Sequence, residues 1–338
     1  MNGPSFNTRY QWSETTPSLG DVRLDFSFGY WCFYSYPLRG QMITKHFVDL
    51  PSHPPSARDL LSLPGERQEP VWILPHPVKE TLPTLEFGRS VFRYVPNHYP
   101  RYYVELSGSF EQYLQRFSRK RRHELRRKMR KFARKESTFF REYRSPQEMR
   151  FFYDSALTVS RRSFQKRIGH GLPEEPAFFA NLVSLAEQDK IRGYLLFYDC
   201  HPAAFALCHV NGNCLTGELC GYDPSQSHLS PGNALIGYIV ERLFEEQQFR
   251  MLDLGPGDAD YKAFFATGSV PCADVYYFPR SLKNIALVIA HSTTAVLWQW
   301  TTRILDALRV RDSLKKLARN GWKKPSRVSS TGLTNCSQ

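Results

Sequence analysis

"KIRGYLLFYDCHPAAFALCHVNGNCLTGELCGYD", residues 190–223, decides how the rest of the chain is read. It holds three runs rich in apolar, β-branched and aromatic residues: "KIRGYLLFYD", "PAAFALCHV" and "NCLTGELCGYD". Asp199-Cys200-His201 and Asn211-Gly212-Asn213 separate them. Both connections carry hairpin turn residues, and the second contains the Asn-Gly pair. Three consecutive antiparallel strands are therefore expected. "PSQSHLSPG" follows, and from Asn233 to Gln247 the pattern "NALIGYIVERLFEEQ" has the spacing of an amphipathic helix. In "FRMLDLGPGDADYKAFFATG", residues 249–268, Met251, Leu252 and Leu254 read as a short buried strand. A Gly255-Pro256-Gly257 turn comes next, and Tyr261-Lys262 opens an aromatic-rich turn or helix. "CADVYYFP", ending at Pro279, reads as a last strand.

Upstream, residues 1–20 are polar and expected to be frayed. Residues 21–106 hold short aromatic or β-branched runs, "VRLDFSFGYWCFYSY", "VWILPHPV", "SVFRYVP" and "RYYVEL", with a proline-rich loop near 51–70. Ser109 through Glu136 reads as one long helix, in which Phe117, Leu125, Met129 and Phe132 share a face. A second helix is predicted from Pro146 to Gln165, started by Ser145-Pro146 with Glu148 in its first turn. A third runs from Glu175 to Glu187. The tail from Ser281 to Lys324 has a helical pattern with a basic end. Its most apolar part, "IALVIAHSTTAVLWQW", is interrupted at His291-Ser292-Thr293-Thr294 and falls short of the roughly 20 apolar residues of a membrane span. A packing or interfacial helix is expected there.

Composition narrows the class. A chain of 338 residues with 41 % hydrophobic residues and 14 % aromatics has enough apolar material for a sizeable core. The divisions expected are a flexible 1–20, a β-rich 21–108, a main domain over 109–280, a helical extension over 281–324 and a disordered 325–338. The N-terminus shows no secretory pattern, and seven cysteines without a C-x-x-C pair fit a reducing, cytoplasmic setting. Cys200-His201 and Cys208-His209 imitate a zinc site across a hairpin, but cysteines in strands read first as small hydrophobes, and no metal is expected.

The net charge of +13 is unevenly placed. "RFSRKRRHELRRKMRKFARK", residues 116–135, carries twelve Lys/Arg against Glu124, leaving about +2 for the remainder. So many like charges at i, i+3 and i+4 spacing repel one another, which favours an anionic partner over a merely solvated face. Arg122, Arg126, Arg127 and Arg130 are the candidate contacts. tRNA, an anionic membrane surface and an acidic polysaccharide all fit that charge, and Trp298 and Trp300 of the tail helix can assist at a membrane. A nucleic-acid-binding protein without chemistry ranks last, because no aromatics interleave the charges between Arg119 and Arg130.

Two short stretches carry chemistry. At 215–247 a strand, a loop and a helix place the free N–H groups of a helix N-terminus at a strand's carboxyl end, a position that suits phosphate. Ser230, Gly232, Asn233 and Ala234 are the candidate contacts; Pro231 pre-sets the turn, and an ordinary turn stays open as the plainer reading. At 258–262, Asp258, Tyr261 and Lys262 crowd the mouth of a strand. Asp258 as a helix N-cap or ion-pair partner of Lys262, and Tyr261 as a packed ring, stay open beside any chemical role.

The order hairpin, strand, glycine-containing loop, helix, strand resembles the core of the Gcn5-related N-acetyltransferase (GNAT) fold. That family's loop reads approximately Arg/Gln-x-x-Gly-x-Gly/Ala; Leu229-Ser230-Pro231-Gly232-Asn233-Ala234 matches at Gly232 and Ala234 and departs at Leu229. "YLQRFSRKRRHELRRKMRKF", "RSFQKRIGHGL", "GYLLFYDCHPAAFAL", "GYDPSQSHLSPGNAL" and "LDLGPGDADYKAFFATG" together resemble the CelD/BioF2-like acetyltransferase branch, which is related to the Fem aminoacyl transferases. The resemblance implies an α+β fold: a mixed, largely antiparallel sheet flanked by helices, with a degenerate GNAT-like N-terminal half and a C-terminal helical extension. It also implies an acyltransferase using acyl-CoA, such as acetyl-CoA, as co-substrate. The acceptor would be an amine or hydroxyl on a sugar, lipid or polysaccharide precursor, and the protein cytoplasmic or peripheral to the membrane's inner face. The alternative donor is aminoacyl-tRNA, held by the basic helix. On this reading Tyr261 protonates the leaving thiolate, Lys262 supports the phenol or the substrate, and Asp258 or Glu218 serves as base.

Overall fold

The computed structural model describes residues 18–28, 31–43, 70–133, 137–163, 166 and 171–307. The N-terminal part supplies strands β1 (Ser18–Phe28), β2 (Trp31–Ile43), β3 (Val71–Pro77), β4 (Leu85–Phe87), β5 (Val91–Tyr94) and β6 (His98–Glu105). Helices α1 (Phe110–Gln115) and α2 (Arg119–Ala133) follow, then β7 (Phe140–Tyr143), α3 (Pro146–Arg162) and α4 (Pro176–Glu187). The predicted meander is β8 (Ile191–Tyr198), β9 (His201–Asn211) and β10 (Cys214–Tyr222). After it come α5 (Pro231–Glu246), β11 (Met251–Asp253), α6 (Asp260–Phe265), β12 (Gly268–Pro279) and α7 (Leu282–Ala307).

All twelve strands join one sheet in the order β1-β2-β3-β12-β6-β11-β10-β9-β8-β7, with the β4–β5 hairpin attached to β12. Neighbours run antiparallel except β2 with β3 and β10 with β11. The fold is thus the mixed, largely antiparallel sheet with flanking helices that the sequence implied. The expected boundary at 108/109 falls in the link from β6 to α1, but the sheet runs across it. β6, from the N-terminal part, pairs with both β11 and β12. Ser18–Gly20, expected to be frayed, already belong to β1. The proline-rich loop, the end of the tail helix and residues 325–338 lie outside the described residues.

The turns follow their sequences. Asp199 (φ 56°) and Cys200 (φ 60°) form the two-residue connection of β8 to β9, both left-handed as the twist of a tight hairpin requires. Gly212 (φ 58°) serves the next hairpin. Cys200-His201 and Cys208-His209 therefore sit toward opposite ends of β9, eight residues or about 27 Å apart, too far to share an ion. Ser145 and Glu148 make the capping box that starts α3.

The long helix expected over Ser109–Glu136 is two helices. Ser109 caps α1 in a capping box with Gln112, and Arg116 and Phe117 then close with i−3 bonds to Tyr113 and Leu114. Ser118 starts α2 afresh, accepting from the Arg121 N–H at 3.3 Å. The break turns Phe117 into the core, edge-on to Tyr113 at 5.0 Å. The predicted face survives: Phe117, Leu125, Met129 and Phe132 are all buried. α2 lies on α5 where Gly237 leaves room; a Cβ there would meet Met129 Sδ at 2.9 Å. One side of the sheet, through Leu196, Ala206, Leu215 and Leu252, packs on α2 and α5. The other, through Leu195 and Leu207, packs on α3 and α4.

Between β6 and β11 lies a buried ion pair. Arg101 and Asp253, with side chains 5 % and 0 % exposed, meet with Nε donating to Oδ2 at 3.0 Å and to Oδ1 at 3.2 Å. Removing one partner strands the other charge in the interior. Arg101→Leu is therefore expected to cost about 3–5 kcal/mol in urea unfolding, and the Arg101→Leu/Asp253→Leu double variant to cost less than the single. A single-variant loss below about 1 kcal/mol would show that the pair is not stabilising the sheet.

Candidate active site

The site begins where two parallel strands part. β10 and β11 pair over Cys214–Met251, Leu215–Leu252 and Thr216–Asp253, and then separate. Asp253 Oδ1 accepts the Gly255 N–H at 2.9 Å, bending the chain away at once. Gly255 has φ +80° and rides over β10; a Cβ there would stand 2.6 Å from the Gly217 carbonyl oxygen. Lys262 reaches back from α6, its ammonium donating to the carbonyls of Gly255 at 3.1 Å and Pro256 at 2.5 Å. Its side chain is buried, and burial pushes its pKa down.

Opposite, β10 carries a bulge. Gly217 pairs with Cys208 and Leu219 with Leu207, so Glu218 is the extra residue. A one-residue slip exchanges the two faces of a strand. Without it Cys220 and Tyr222 would point toward α3; with it they pack on the α5 side. There they line a cavity of about 200 Å³ together with Ser230, Gly232, Asn233 and Tyr261.

The loop into α5 is braced. Pro224–Leu229 forms a 3₁₀ turn capped by Asp223, whose carboxylate accepts from the Ser225 N–H and from Arg162. Ser230, at φ +60°, is the left-handed N-cap of α5. Pro231 has no N–H, and Ala234 donates to the Ser230 carbonyl, which leaves the Gly232 and Asn233 N–H groups as the free donors expected of a helix start. A Cβ on Gly232 would find only the Tyr222 ring within 4 Å, at 3.3 Å. Lys131, at the end of α2, donates to the His228 carbonyl at 3.1 Å and so brings a positive charge to this loop.

Of the residues singled out for proton transfer, Tyr261 alone lines the cavity. Its hydroxyl lies 3.7 Å from Cys220 Sγ, and burial followed by the neighbouring Cys220 pushes its pKa well up. Asp258 is exposed and accepts from the Tyr102 hydroxyl at 3.0 Å. The N-cap of α6 is Ala259, so Asp258 does not cap it. Glu218 faces His209 on β9. Ser230, Gly232 and Asn233 line the cavity, and Ala234 is buried behind them. Cys220 and Tyr222 were not foreseen, because their direction depends on the bulge.

On α2, Arg126, Arg127 and Arg130 are exposed and Arg122 is half-buried. A second, open cavity of about 1020 Å³ runs between α1, α2 and α5, lined by Arg119, Arg122, Arg126, Arg130, Phe110 and Tyr238 among others. Glu111 on its wall pairs with Arg126 at 2.6 Å. Aromatics do not lie between Arg119 and Arg130 in sequence, but one arrives there from elsewhere in the chain: the Arg121 guanidinium lies 4.8 Å from the Phe264 ring centre.

Residues 119–263 match the family model of the acetyltransferase (GNAT) domain. The matched stretch runs from the start of α2 into α6, taking in the bulged strand, the braced loop and Tyr261. The fold is GNAT-like. No curated protein matches the sequence. Among solved structures, the chain is similar to the C-terminal domain of a putative lysylphosphatidylglycerol synthetase from Agrobacterium fabrum (15 % identity, TM-score 0.43, 60 % of this chain and 66 % of that one). It is also similar to L-PGS from Bacillus licheniformis (14 %, 0.43, 66 % and 73 %). FemX is a third (10 %, 0.40, 56 % and 63 %). The chain spans 66 % of the length of the first of these.

Gly255→Ala is expected to lower the melting temperature well beyond Gly257→Ala. Both positions have positive φ, a strain of about 1–3 kcal/mol for a residue with a side chain, but a Cβ at Gly257 meets nothing within 4 Å. Equal melting temperatures for the two variants would remove the crowding against Gly217 from this account.

Proposed function

We propose that the protein is an acyl-CoA-dependent N- or O-acyltransferase of the CelD/BioF2-like kind, acting on an amine or hydroxyl of a sugar, lipid or surface-polysaccharide precursor. The observation that supports it is the meeting, in one cavity beside the end of β10, of the α5 N-terminus and Tyr261. The Gly232 and Asn233 N–H groups, with the helix dipole behind them, hold the pyrophosphate of the donor. Lys131 adds the positive charge that Leu229 does not supply. The pantetheine arm enters the slot, where the β10 backbone beyond Thr216 is no longer covered by β11.

The acceptor's lone pair attacks the thioester carbonyl carbon, the new C–N or C–O bond forms, and the C–S bond breaks toward the sulfur. Tyr261 keeps its proton at neutral pH as any phenol does, and burial pushes its pKa up further. It therefore serves the departing thiolate as a hydrogen-bond donor positioned in the cavity. Asp258, exposed and three residues before Tyr261, takes the acceptor's proton through water. Lys262 acts indirectly, by fixing the Gly255-Pro256 turn that holds the slot open.

A second reading has its own observation. The open cationic cavity along α2 suits a polyphosphate chain, and aminoacyl-tRNA is then the donor.

Three measurements decide these points. Gly232→Val fills the approach to the loop with only the Tyr222 ring to move, so calorimetry is expected to show weakened CoA binding at an unchanged melting temperature; unaltered affinity excludes the loop. Tyr261→Phe is expected to lower turnover by about 10²–10⁴-fold with CoA affinity kept, whereas a ring that merely packs leaves turnover intact. Reversing Arg126, Arg127 and Arg130 to Glu is expected to abolish salt-sensitive RNA binding while CoA binding persists; wild-type protein with no such RNA affinity eliminates the tRNA reading.

A further inference from the structure

α7 is apolar on two sides. Its inner side packs on the sheet through Val288, against a cluster that includes Phe26, Phe92 and Phe278. On the same side the His291 ring meets the Tyr94 hydroxyl at 2.6 Å and lies edge-on to Phe26 at 5.1 Å. Burial pushes the pKa of His291 down, so the ring stays neutral at pH 7. Among the described residues the outer side has no such partner in the sheet. Leu282, Ile289, Val296, Leu297 and Trp300 are 87 %, 48 %, 50 %, 60 % and 62 % exposed. Leu282, Ile289 and Val296 are seven residues apart, which is two helical turns, so they form one stripe along the helix. Exposed Ala286 and Thr293 continue it.

Two further observations say what the stripe meets. Asn284 through Thr302 contains no Asp, Glu, Lys or Arg, and four hydroxyls along it are turned onto the helix itself. Ser292 donates to the Ile289 carbonyl, Thr293 to Ala290, Thr294 to His291 and Thr301 to Leu297. The polar groups of this face thus lose little on leaving water. The sequence that follows is strongly basic: Arg303 through Arg327 carries nine Lys/Arg against Asp306 and Asp312. Two copies joined in parallel through the stripe would bring these like charges together, whereas an anionic surface attracts them in any orientation. No helix among the described residues is long and apolar enough to cross a membrane.

We infer that the outer face of α7 lies in the interface of an anionic lipid bilayer, to which the positive charge of the sequence from Arg303 to Arg327 adds attraction. This surface is separate from the acyl-transfer cavity, and the inference stands whether or not that reading does.

Co-sedimentation of the full chain with phosphatidylglycerol–phosphatidylcholine vesicles tests it, with pure phosphatidylcholine vesicles alongside. The wild-type protein is expected to bind the anionic vesicles and to bind the neutral ones roughly tenfold or more weakly. Ile289→Glu/Val296→Glu/Leu297→Glu places charges on exposed positions only, so its melting temperature is expected to hold while vesicle binding is lost. Lys315, Lys316, Lys323 and Lys324 replaced by Gln should weaken binding in the same sense. Wild-type protein left in the supernatant, or a triple-Glu variant that sediments as well as wild type, overturns the inference. So does sedimentation equilibrium showing a dimer that the triple-Glu variant dissolves, since the stripe is then a contact between copies.

Discussion

Asp253 closes the three-residue pairing of β11 with β10, and its carboxylate is engaged twice: by the Arg101 guanidinium from β6 and by the Gly255 N–H that follows it. A buried charge is held only where its partners are in place, since an uncompensated carboxylate in the interior is costly. The end of β11 is therefore fixed by β6 on one side and by its own turn on the other. β11 leaves β10 just beyond this point, and Gly255 crosses the Gly217 carbonyl where no side chain fits. β6 comes from the N-terminal part of the chain, so that part contributes a strand to the sheet beside the site.

The sequence analysis anticipated those features that neighbouring residues determine. Alternation and the turn residues marked the β8–β10 meander, and Ser145 with Glu148 marked the start of α3. What stayed hidden depends on contacts between distant backbones. The bulge at Glu218 leaves no composition signal, yet it decides which way Cys220 and Tyr222 face. The break at Arg116–Ser118 is masked by a hydrophobic spacing that fits one helix or two, because Phe117 packs inward either way. That Glu218, a candidate base, lies against His209 on β9 follows from the register of the two strands and not from their sequences.

The basic helix shows how a dense run of charge is tolerated. Several members are matched locally: Arg126 by Glu111, Lys128 by Glu124, Lys131 by the His228 carbonyl, and Arg121 by the Ala263 carbonyl and the Phe264 ring. These contacts tie α2 to α1, α6 and the loop before α5, so part of the charge is structural. The members that line the open cavity beside Phe110 and Tyr238 exceed the acids near them, and that surplus is what an anion would meet.

Tyr261 and Lys262 are neighbours in sequence with opposite duties in space. Successive side chains on a helix point about 100° apart, so a single turn such as α6 cannot aim both into one small cavity. The phenol faces the slot, and the ammonium faces the carbonyls of Gly255 and Pro256. An ammonium bonded to two carbonyls makes a firm clasp between helix and turn, since its hydrogen bonds are charge-assisted. The clasp acts on the phenol as well: α6 carries Tyr261, and the turn that Lys262 holds is the one that takes β11 away from β10. Position of the hydroxyl and opening of the slot are therefore coupled through one side chain that never enters the cavity.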